Sequence, residues 1–256
     1  MKPALSDGLL RVPIAHRALH DIAQGRPENS RAAIRAAIEA GYGIEIDLQL
    51  SSDGQAMVFH DYDLARLTGE SGPIQGRSAA QASQIVLLHG DGETIPTLSE
   101  VLEIVGGQVP VLIELKDQDG AMGANIGRLE AATVQALDGY DGPVAVMSFN
   151  PHSVAELARL APDIPRGLTT SEYDPKDWPL SEATCARLRD IPDFEASGAS
   201  FISHHAVDLA NPRVRQLWDD GVPVLCWTIR SPEAEAEARK LSDNITFEGY
   251  LADLPA

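Results

Sequence analysis

The amino-acid sequence predicts a closed (β/α)8 TIM barrel with a hairpin and a small excursion after its second strand. Short apolar runs alternate with helix-like stretches, which is typical of a parallel sheet with right-handed crossovers. Eight such units in 256 residues fit the usual size of this barrel. The competing interpretation is an open doubly wound sheet. That fold more often has a glycine-rich loop after its first strand, and residues 15–19 do not form one.

Eight apolar, β-branched runs are the candidate barrel strands. They cover residues 12–16, 43–50, 110–116, 143–149, 164–169, 199–204, 223–229 and 244–251. The helix-like stretches between them cover residues 28–40, 97–105, 127–137, 151–160, 180–189, 212–220 and 232–241. Most begin with a capping side chain or a proline, as at Asn150-Pro151 and Asn211-Pro212, and both features suit the first turn of a helix. We expect one domain over residues 1–256.

The second strand is followed by Asp53-Gly54. Asp-Gly between two alternating runs is a strong hairpin signal, so residues 56–60 are expected to fold back antiparallel. The excursion, about 55–96, has turn residues at Gly69, Gly72 and Gly90. A long loop after a barrel strand is expected to lie over the active face.

The composition excludes several classes of protein. Lys plus Arg is 20 and Asp plus Glu is 38, which gives a net charge of −18 and argues against binding to nucleic acid or anionic membranes. No run approaches the ~20 apolar residues of a membrane-spanning helix, and the first residues lack the pattern of a signal peptide. We therefore expect a soluble, cytoplasmic protein. Its two cysteines do not form a disulfide framework, and Cys226 is expected to be buried filler.

Acidic residues alternate with apolar ones in two strands. Strand side chains point to opposite faces in turn, so Glu45 and Asp47 would point into the barrel, and Glu114 and Lys116 would share a face of the third strand. Three converging carboxylates suit Mg²⁺ or Ca²⁺. The alternative is a set of ordinary salt bridges, Glu114 with Lys116 and Glu45 with an arginine. The occurrence of the pattern on both strands favours the metal.

Histidines stand where a barrel places catalytic groups. His16 ends the first strand and His60 ends the hairpin return, and two imidazoles can serve as base and acid near neutral pH. The planar guanidinium of Arg17 can donate two hydrogen bonds to a phosphate, and the ammonium group of Lys116 can supply a point charge to the same anion. A single histidine at a strand end is more often structural, but the combination suggests phosphoryl transfer at a metal.

Other residues at the expected rim have open roles. Trp227 ends the seventh strand, where it can form a wall of the substrate pocket or fill the core. His20, His204 and His205 can face the site or make local hydrogen bonds. The roles of Phe149 and Arg230 are open in the same way.

The ordered motifs of the sequence resemble those of the glycerophosphodiester phosphodiesterase family along nearly the whole chain. The motifs are Ala15-His16-Arg17, Pro27-Glu28-Asn29-Ser30, Glu45-Ile46-Asp47, Asp53-Gly54, His60-Asp61, Leu64-Ala65-Arg66-Leu67-Thr68-Gly69, Ile95-Pro96-Thr97-Leu98, Glu114-Leu115-Lys116, Ser148-Phe149 and Cys226-Trp227-Thr228-Ile229. Each motif alone is weak, whereas the ordered set is specific.

The resemblance implies a metal-dependent TIM-barrel hydrolase that cuts a small glycerophosphodiester into an alcohol and glycerol 3-phosphate. Its catalytic histidines correspond to His16 and His60, and its phosphate-binding cations to Arg17 and Lys116. Glu28 is expected to organise the loop around the site through hydrogen bonds. The metal-binding acids of the family correspond to Glu45, Asp47 and Glu114. We assign His16 as the base and His60 as the acid.

Three departures from the family pattern leave the substrate preference open. Ala18 replaces the usual glycine after His-Arg, so positive φ is less accessible there and the phosphate loop could be reshaped. Arg230 follows the Trp-Thr-Ile run in place of asparagine. In place of the family's final threonine-aspartate pair, this sequence is interpreted as having Ala252-Asp253.

Two other functions are compatible with the same barrel. A phospholipase D-like enzyme acting on lysophospholipids or sphingomyelin would need an apolar rim, and residues 85–88 of the excursion are apolar, although we interpret them as helix packing. A catalytically silent phosphodiester-binding barrel would bind the diester without releasing product.

Overall fold

The computed structural model describes residues 2–255, and its sheet has nine strands. They are β1 (Ile14–Ala15), β2 (Gly43–Leu50), β3 (Ala56–Val58), β4 (Val111–Leu115), β5 (Val144–Ser148), β6 (Arg166–Thr170), β7 (Phe201–His205), β8 (Val224–Ile229) and β9 (Asn244–Phe247). All except β3 are parallel, and β1 pairs with both β2 and β9. The eight parallel strands therefore close into a barrel, which confirms the predicted fold class.

Helices alternate with the barrel strands. They are α1 (Asp7–Arg11), α2 (Arg31–Ala40), α3 (Ala65–Thr68), α4 (Ala79–Ala82), α5 (Leu98–Val105), α6 (Arg128–Leu137), α7 (Pro151–Leu160), α8 (Glu182–Arg189), α9 (Pro212–Asp219) and α10 (Pro232–Ala238). The predicted prolines stand in the first turns of α7 and α9, after the capping side chains of Asn150 and Asn211. Among the described residues, no helix is long and apolar enough to cross a bilayer.

Alternation along the strands separates two apolar layers. Ile44 and Ile46 of β2 point outward and join the large cluster that packs the helices against the barrel. Leu112 and Phe201 point inward and fill the amino-terminal half of the barrel. A side chain at Gly167 would overlap the Phe201 ring, so this glycine makes room for an aromatic residue inside the barrel.

Helix α1 was not predicted from the sequence. Its Leu9 is fully buried in the inner cluster. The Leu9 carbonyl accepts a hydrogen bond from Asn244 Nδ2 at 2.8 Å. The N-terminal segment thus packs against the barrel interior at the end opposite the carboxyl ends of the strands.

Two predicted boundaries are wrong in a way that bears on the site. The helix expected from residue 28 begins at Arg31, because Asn29 has a left-handed backbone with φ 59° and Ser30 is the N-cap. The last strand, expected to reach residue 251, ends at Phe247. Glu28, Asn29 and Glu248 are thereby left free to face the carboxyl end of the barrel.

The hairpin and the excursion follow β2 as predicted. β3 is antiparallel to β2, and the excursion has its own apolar cluster, which includes Ile74, Ile85 and Leu87. The interpretation of residues 85–88 as helix packing holds for Ile85 and Leu87, which are buried in this cluster with residues of α3 and α4. Val86 and Leu88 are 54% and 41% exposed, as alternate side chains of an extended segment are.

Both cysteines are buried and unpaired. Burial raises the pKa of the Cys226 thiol to about 11, so the thiolate is disfavoured at neutral pH. The expectation that Cys226 is buried filler is confirmed.

Candidate active site

Three acidic side chains converge inside the barrel. Glu45 and Asp47 lie on β2 and Glu114 on β4, where Asp47 and Glu114 are directly paired neighbours. One carboxylate oxygen from each lies within 4.8 Å of the others, and all three residues are buried. This placement follows from the parity of the strands, since the apolar residues between the acids point to the helices.

Two cations and an amide contact this acidic cluster. Lys116 Nζ lies 2.7 Å from Asp47 Oδ1 and also contacts Glu114. The Arg17 backbone N–H donates to Glu45 Oε2 at 2.8 Å. The side-chain Nε of Arg17 lies 3.6 Å from Asp47 Oδ2. Asn29 Nδ2 donates to Asp47 Oδ2 at 2.9 Å. Parts of the salt-bridge alternative are therefore present as well, between Lys116 and the acids.

The pKa values of two acids in the cluster shift in opposite directions. Burial would raise the pKa of Asp47, but Lys116, His60 and Arg17 outweigh it and hold that pKa well below its usual range. Burial, Asp47 and Glu114 together raise the pKa of Glu45 well above its usual range. A carboxylate that resists ionisation among hard oxygen ligands is a site where a divalent cation fits.

Each of the two candidate catalytic histidines has a carboxylate partner. His16 Nδ1 lies 2.6 Å from Glu248 Oε2, and His60 Nδ1 lies 2.6 Å from Asp61 Oδ1. Such a partner fixes the orientation of an imidazole and directs its other nitrogen to the opposite side. Burial lowers the pKa of His16 despite the Glu248 hydrogen bond. That hydrogen bond in turn holds the pKa of Glu248 well below its usual range.

Arg66 of α3 joins the His60–Asp61 pair to Glu28 in the loop between β1 and α2. Its guanidinium donates to both Asp61 oxygens at 2.6 and 2.8 Å, and to both Glu28 oxygens at 2.8 and 2.9 Å. Glu28 Oε1 also accepts from Arg17 at 2.8 Å. This confirms the expectation that Glu28 organises the loop around the site through hydrogen bonds.

The acidic cluster, its two cations and both histidines line one cleft of about 280 Å³. Its charged side is formed by His16, Arg17, Glu45, Asp47, His60, Glu114 and Lys116, and its other side includes Met147, Phe149, Trp178, Trp227 and Arg230. Trp227 therefore lines the pocket. A larger depression of about 770 Å³ lies next to it, between the β1–α2 loop and residues 247–251, but it lacks the acidic cluster.

The contacts of several rim residues decide between the roles that the sequence left open. His204 is fully buried and contacts Thr170 and Asp208. His20 lies 3.5 Å from Glu248, beside His16. Arg230 donates to Glu248 Oε1 at 2.8 Å.

The interpretation of Ala252-Asp253 as part of the site pattern is wrong. These residues lie beyond the end of β9, where the Ala252 carbonyl accepts from Tyr42. The carboxylate that meets the site from this part of the chain is that of Glu248.

Ala18 has a left-handed backbone although it is not glycine. Its φ is 64°, and that of Arg17 is 52°. The Ala18 side chain is 2% exposed and packs into the large cluster, which holds it in this conformation. Positive φ is therefore adopted at this position without glycine.

The strain at Ala18 is testable by the same substitution at two buried alanines. Ala18→Gly relieves a left-handed backbone, whereas Ala37→Gly weakens the interior of α2. We expect Ala18→Gly to be less destabilising than Ala37→Gly by about 1–2 kcal/mol in urea unfolding. Equal losses in the two variants would show that the left-handed backbone costs nothing at Ala18.

Comparison with known proteins identifies a family. The model of the glycerophosphoryl diester phosphodiesterase family matches residues 16–247. A glycerophosphodiester phosphodiesterase of Caldanaerobacter subterraneus subsp. tengcongensis is 31% identical over 60% of this chain and 65% of its own length, slightly less than two thirds. A Bacillus subtilis glycerophosphodiester phosphodiesterase is 25% identical over 78% of this chain and 70% of its own length.

A solved structure extends the likeness to the fold. An Oleispira antarctica phosphodiesterase in complex with the product sn-glycerol-3-phosphate is 27% identical, with a TM-score of 0.73 and 93% of each chain covered.

Proposed function

This chain belongs to the glycerophosphoryl diester phosphodiesterase family, and we propose that it hydrolyses small glycerophosphodiesters to an alcohol and glycerol 3-phosphate. The observation that carries the proposal is that the acidic cluster, His16 and His60 line the same cleft. The product named for the Oleispira antarctica structure is consistent with this reaction.

The residues that would hold a divalent cation are Glu45, Asp47 and Glu114, and Mg²⁺ and Ca²⁺ both suit their oxygens. When bound, such an ion polarises a phosphate oxygen and offsets its charge. Arg17 and Lys116 supply the remaining positive charge beside the phosphate. Burial lowers the pKa of Lys116, but Asp47 and Glu114 outweigh burial and raise that pKa above its usual range, so the ammonium stays protonated.

The two imidazoles divide the proton transfers. His16, oriented by Glu248, accepts the proton of the attacking hydroxyl, whose oxygen forms a new bond to phosphorus. The phosphorus–oxygen bond to the alcohol breaks, and His60, oriented by Asp61, gives its proton to the leaving oxygen. The attacking hydroxyl is that of water, or that of the glycerol 2-position when a cyclic phosphate forms first and water then opens it to glycerol 3-phosphate. Burial favours neutral His16 at neutral pH, as a base requires.

A coupled assay for glycerol 3-phosphate tests the proposal. Choline, ethanolamine, glycerol and inositol diesters are supplied in turn, with chelator and then with Mg²⁺ or Ca²⁺ added back. We expect alcohol and glycerol 3-phosphate to appear in equal amounts and only with the cation. Absence of glycerol 3-phosphate from every diester under both cations would refute the proposed function.

The phospholipase D-like alternative gains no support from the excursion. Its exposed aliphatic residues, Val86 and Leu88, do not line the cleft. An acyl chain would therefore find no aliphatic rim there.

The role of Arg66 is testable without touching the cleft. Arg66→Lys keeps the charge but cannot hold two carboxylates in bidentate geometry, so we expect kcat/KM to fall about 10-fold, and up to about 100-fold in Arg66→Met. Arg77→Lys is the matched control, because Arg77 lies on the same excursion and its guanidinium contacts Glu70 at 3.5 Å and the Ser71 carbonyl at 3.4 Å, away from the cleft. Equal activity of the Arg66→Met and parent enzymes would show that Arg66 does not position Asp61 or Glu28.

A further inference from the structure

The cleft has a second side that the proposed reaction does not use. Phe149 follows β5, Trp178 lies in the loop between β6 and α8, and Trp227 lies on β8. The Phe149 ring centroid is 5.0 Å from that of Trp178 and 5.5 Å from that of Trp227. We call these three rings the aromatic wall. It faces the charged side, which comes from β1, β2, the hairpin and β4.

The three rings of the aromatic wall carry two N–H donors, on Trp178 and Trp227, and no acceptor, and the hydroxyls of Thr228 and Thr246 also line the cleft. Trp227 Nε1 already donates to the Ser203 carbonyl at 3.0 Å. Arg230, at the rim of this side, is paired with Glu248 at 2.8 Å. A ligand group that needs several hydrogen bonds would lose them on moving from water to this wall.

A carboxylate lies behind the Trp227 ring of the wall. The Trp227 ring stacks on His205 with a centroid distance of 4.6 Å, and His205 Nδ1 lies 2.7 Å from Glu172. The loop that carries Trp178 also contains Asp174, Lys176 and Asp177. The whole chain has a net charge of −18. The carboxylate behind Trp227 and the net charge of the chain therefore favour a cation over an anion.

A diester held by its phosphate on the charged side extends one of its two alcohol arms across the cleft. A glycerol arm has hydroxyl groups, and a primary ammonium has three N–H donors, all of which need partners. A trimethylammonium group has no N–H and binds aromatic faces through its charge. We propose that the aromatic wall binds a quaternary ammonium arm, so that the enzyme prefers choline diesters. This inference rests on the proposed function.

Three substrates and two variants test the proposal. The substrates are glycerophosphocholine, glycerophosphoethanolamine and the 3,3-dimethylbutyl diester, which has the shape of choline without its charge. We expect kcat/KM for the choline diester to exceed both others by about 10-fold. Trp178→Leu keeps apolar bulk but has no aromatic face, and it should lower kcat/KM for the choline diester alone by about 10-fold. Trp178→Phe should keep most of the preference.

Trp218→Leu is the matched control. Trp218 lies on α9, where Arg215 stacks on its ring at 4.0 Å, and it does not line the cleft. Inhibition by glycerol 3-phosphate should be unchanged in all variants, because that product binds the charged side.

The outcomes separate the two proposals. Equal turnover of the choline and dimethylbutyl diesters, or an unchanged choline preference in Trp178→Leu, would overturn the quaternary ammonium assignment and leave the hydrolase in place. If the parent enzyme released glycerol 3-phosphate from none of the substrates with Mg²⁺ or Ca²⁺, the proposed function itself would fail.

Discussion

Replacing His16 or His60 with alanine is expected to lower kcat by roughly 10²–10⁴-fold or more, with little change in KM, because each imidazole moves a proton in the transition state. Both rings are held at Nδ1 by a carboxylate at 2.6 Å, and both line the cleft. In the proposed mechanism, phosphate binding depends on Arg17, Lys116 and the cation, which these substitutions leave in place. Initial rates across a range of glycerophosphocholine concentrations separate kcat from KM.

His152→Ala is the control for this experiment. His152 is exposed on α7 and does not line the cleft, so its removal should leave both constants unchanged. Parent rates in the His16 and His60 variants would show that the imidazoles do not carry the proton transfers.

Glu45→Gln should separate metal binding from folding. The amide oxygen of glutamine can still accept the Arg17 backbone N–H, which lies 2.8 Å from Glu45 Oε2. It no longer supplies negative charge to a cation. We expect weaker binding of Mg²⁺ and Ca²⁺ by titration calorimetry and a loss of about 10²-fold or more in kcat/KM.

The same substitution should not destabilise the metal-free protein. Burial and the neighbouring acids raise the pKa of Glu45. When the pKa of a carboxyl group is higher in the folded than in the unfolded state, the folded protein loses stability as the pH rises from the unfolded-state pKa to the folded-state pKa. At neutral pH, Glu45→Gln removes that cost, so the unfolding midpoint without metal should match or exceed that of the parent.

Added Mg²⁺ or Ca²⁺ should then raise the midpoint of the parent more than that of Glu45→Gln. Glu103→Gln, at an exposed site on α5, is the control and should change neither metal binding nor activity. Normal metal affinity in Glu45→Gln would contradict the assignment of Glu45 as a ligand.

The barrel was predictable because its signals are local. Strand runs, turn residues and helix caps each act over a few residues, and their order along the chain determines the fold class. The convergence of Glu45, Asp47 and Glu114 followed from strand parity alone, once the strands were taken to be neighbours.

The parts of the site that were not predicted from the sequence depend on distant contacts or on backbone conformation. Glu248 meets His16 across a sequence separation of 232 residues, and Trp178 reaches the cleft from an irregular loop. Neither has a periodic signal. The left-handed backbone at Ala18 is imposed by packing, against its local preference.

The most direct test of the account is a crystal structure with Mg²⁺ or Ca²⁺ and glycerol 3-phosphate bound. We expect one ion bound by carboxylate oxygens of Glu45, Asp47 and Glu114, with the phosphate against it and the free nitrogens of His16 and His60 directed at the phosphate from its two sides. An ion bound elsewhere, or a phosphate out of reach of both imidazoles, would contradict the account.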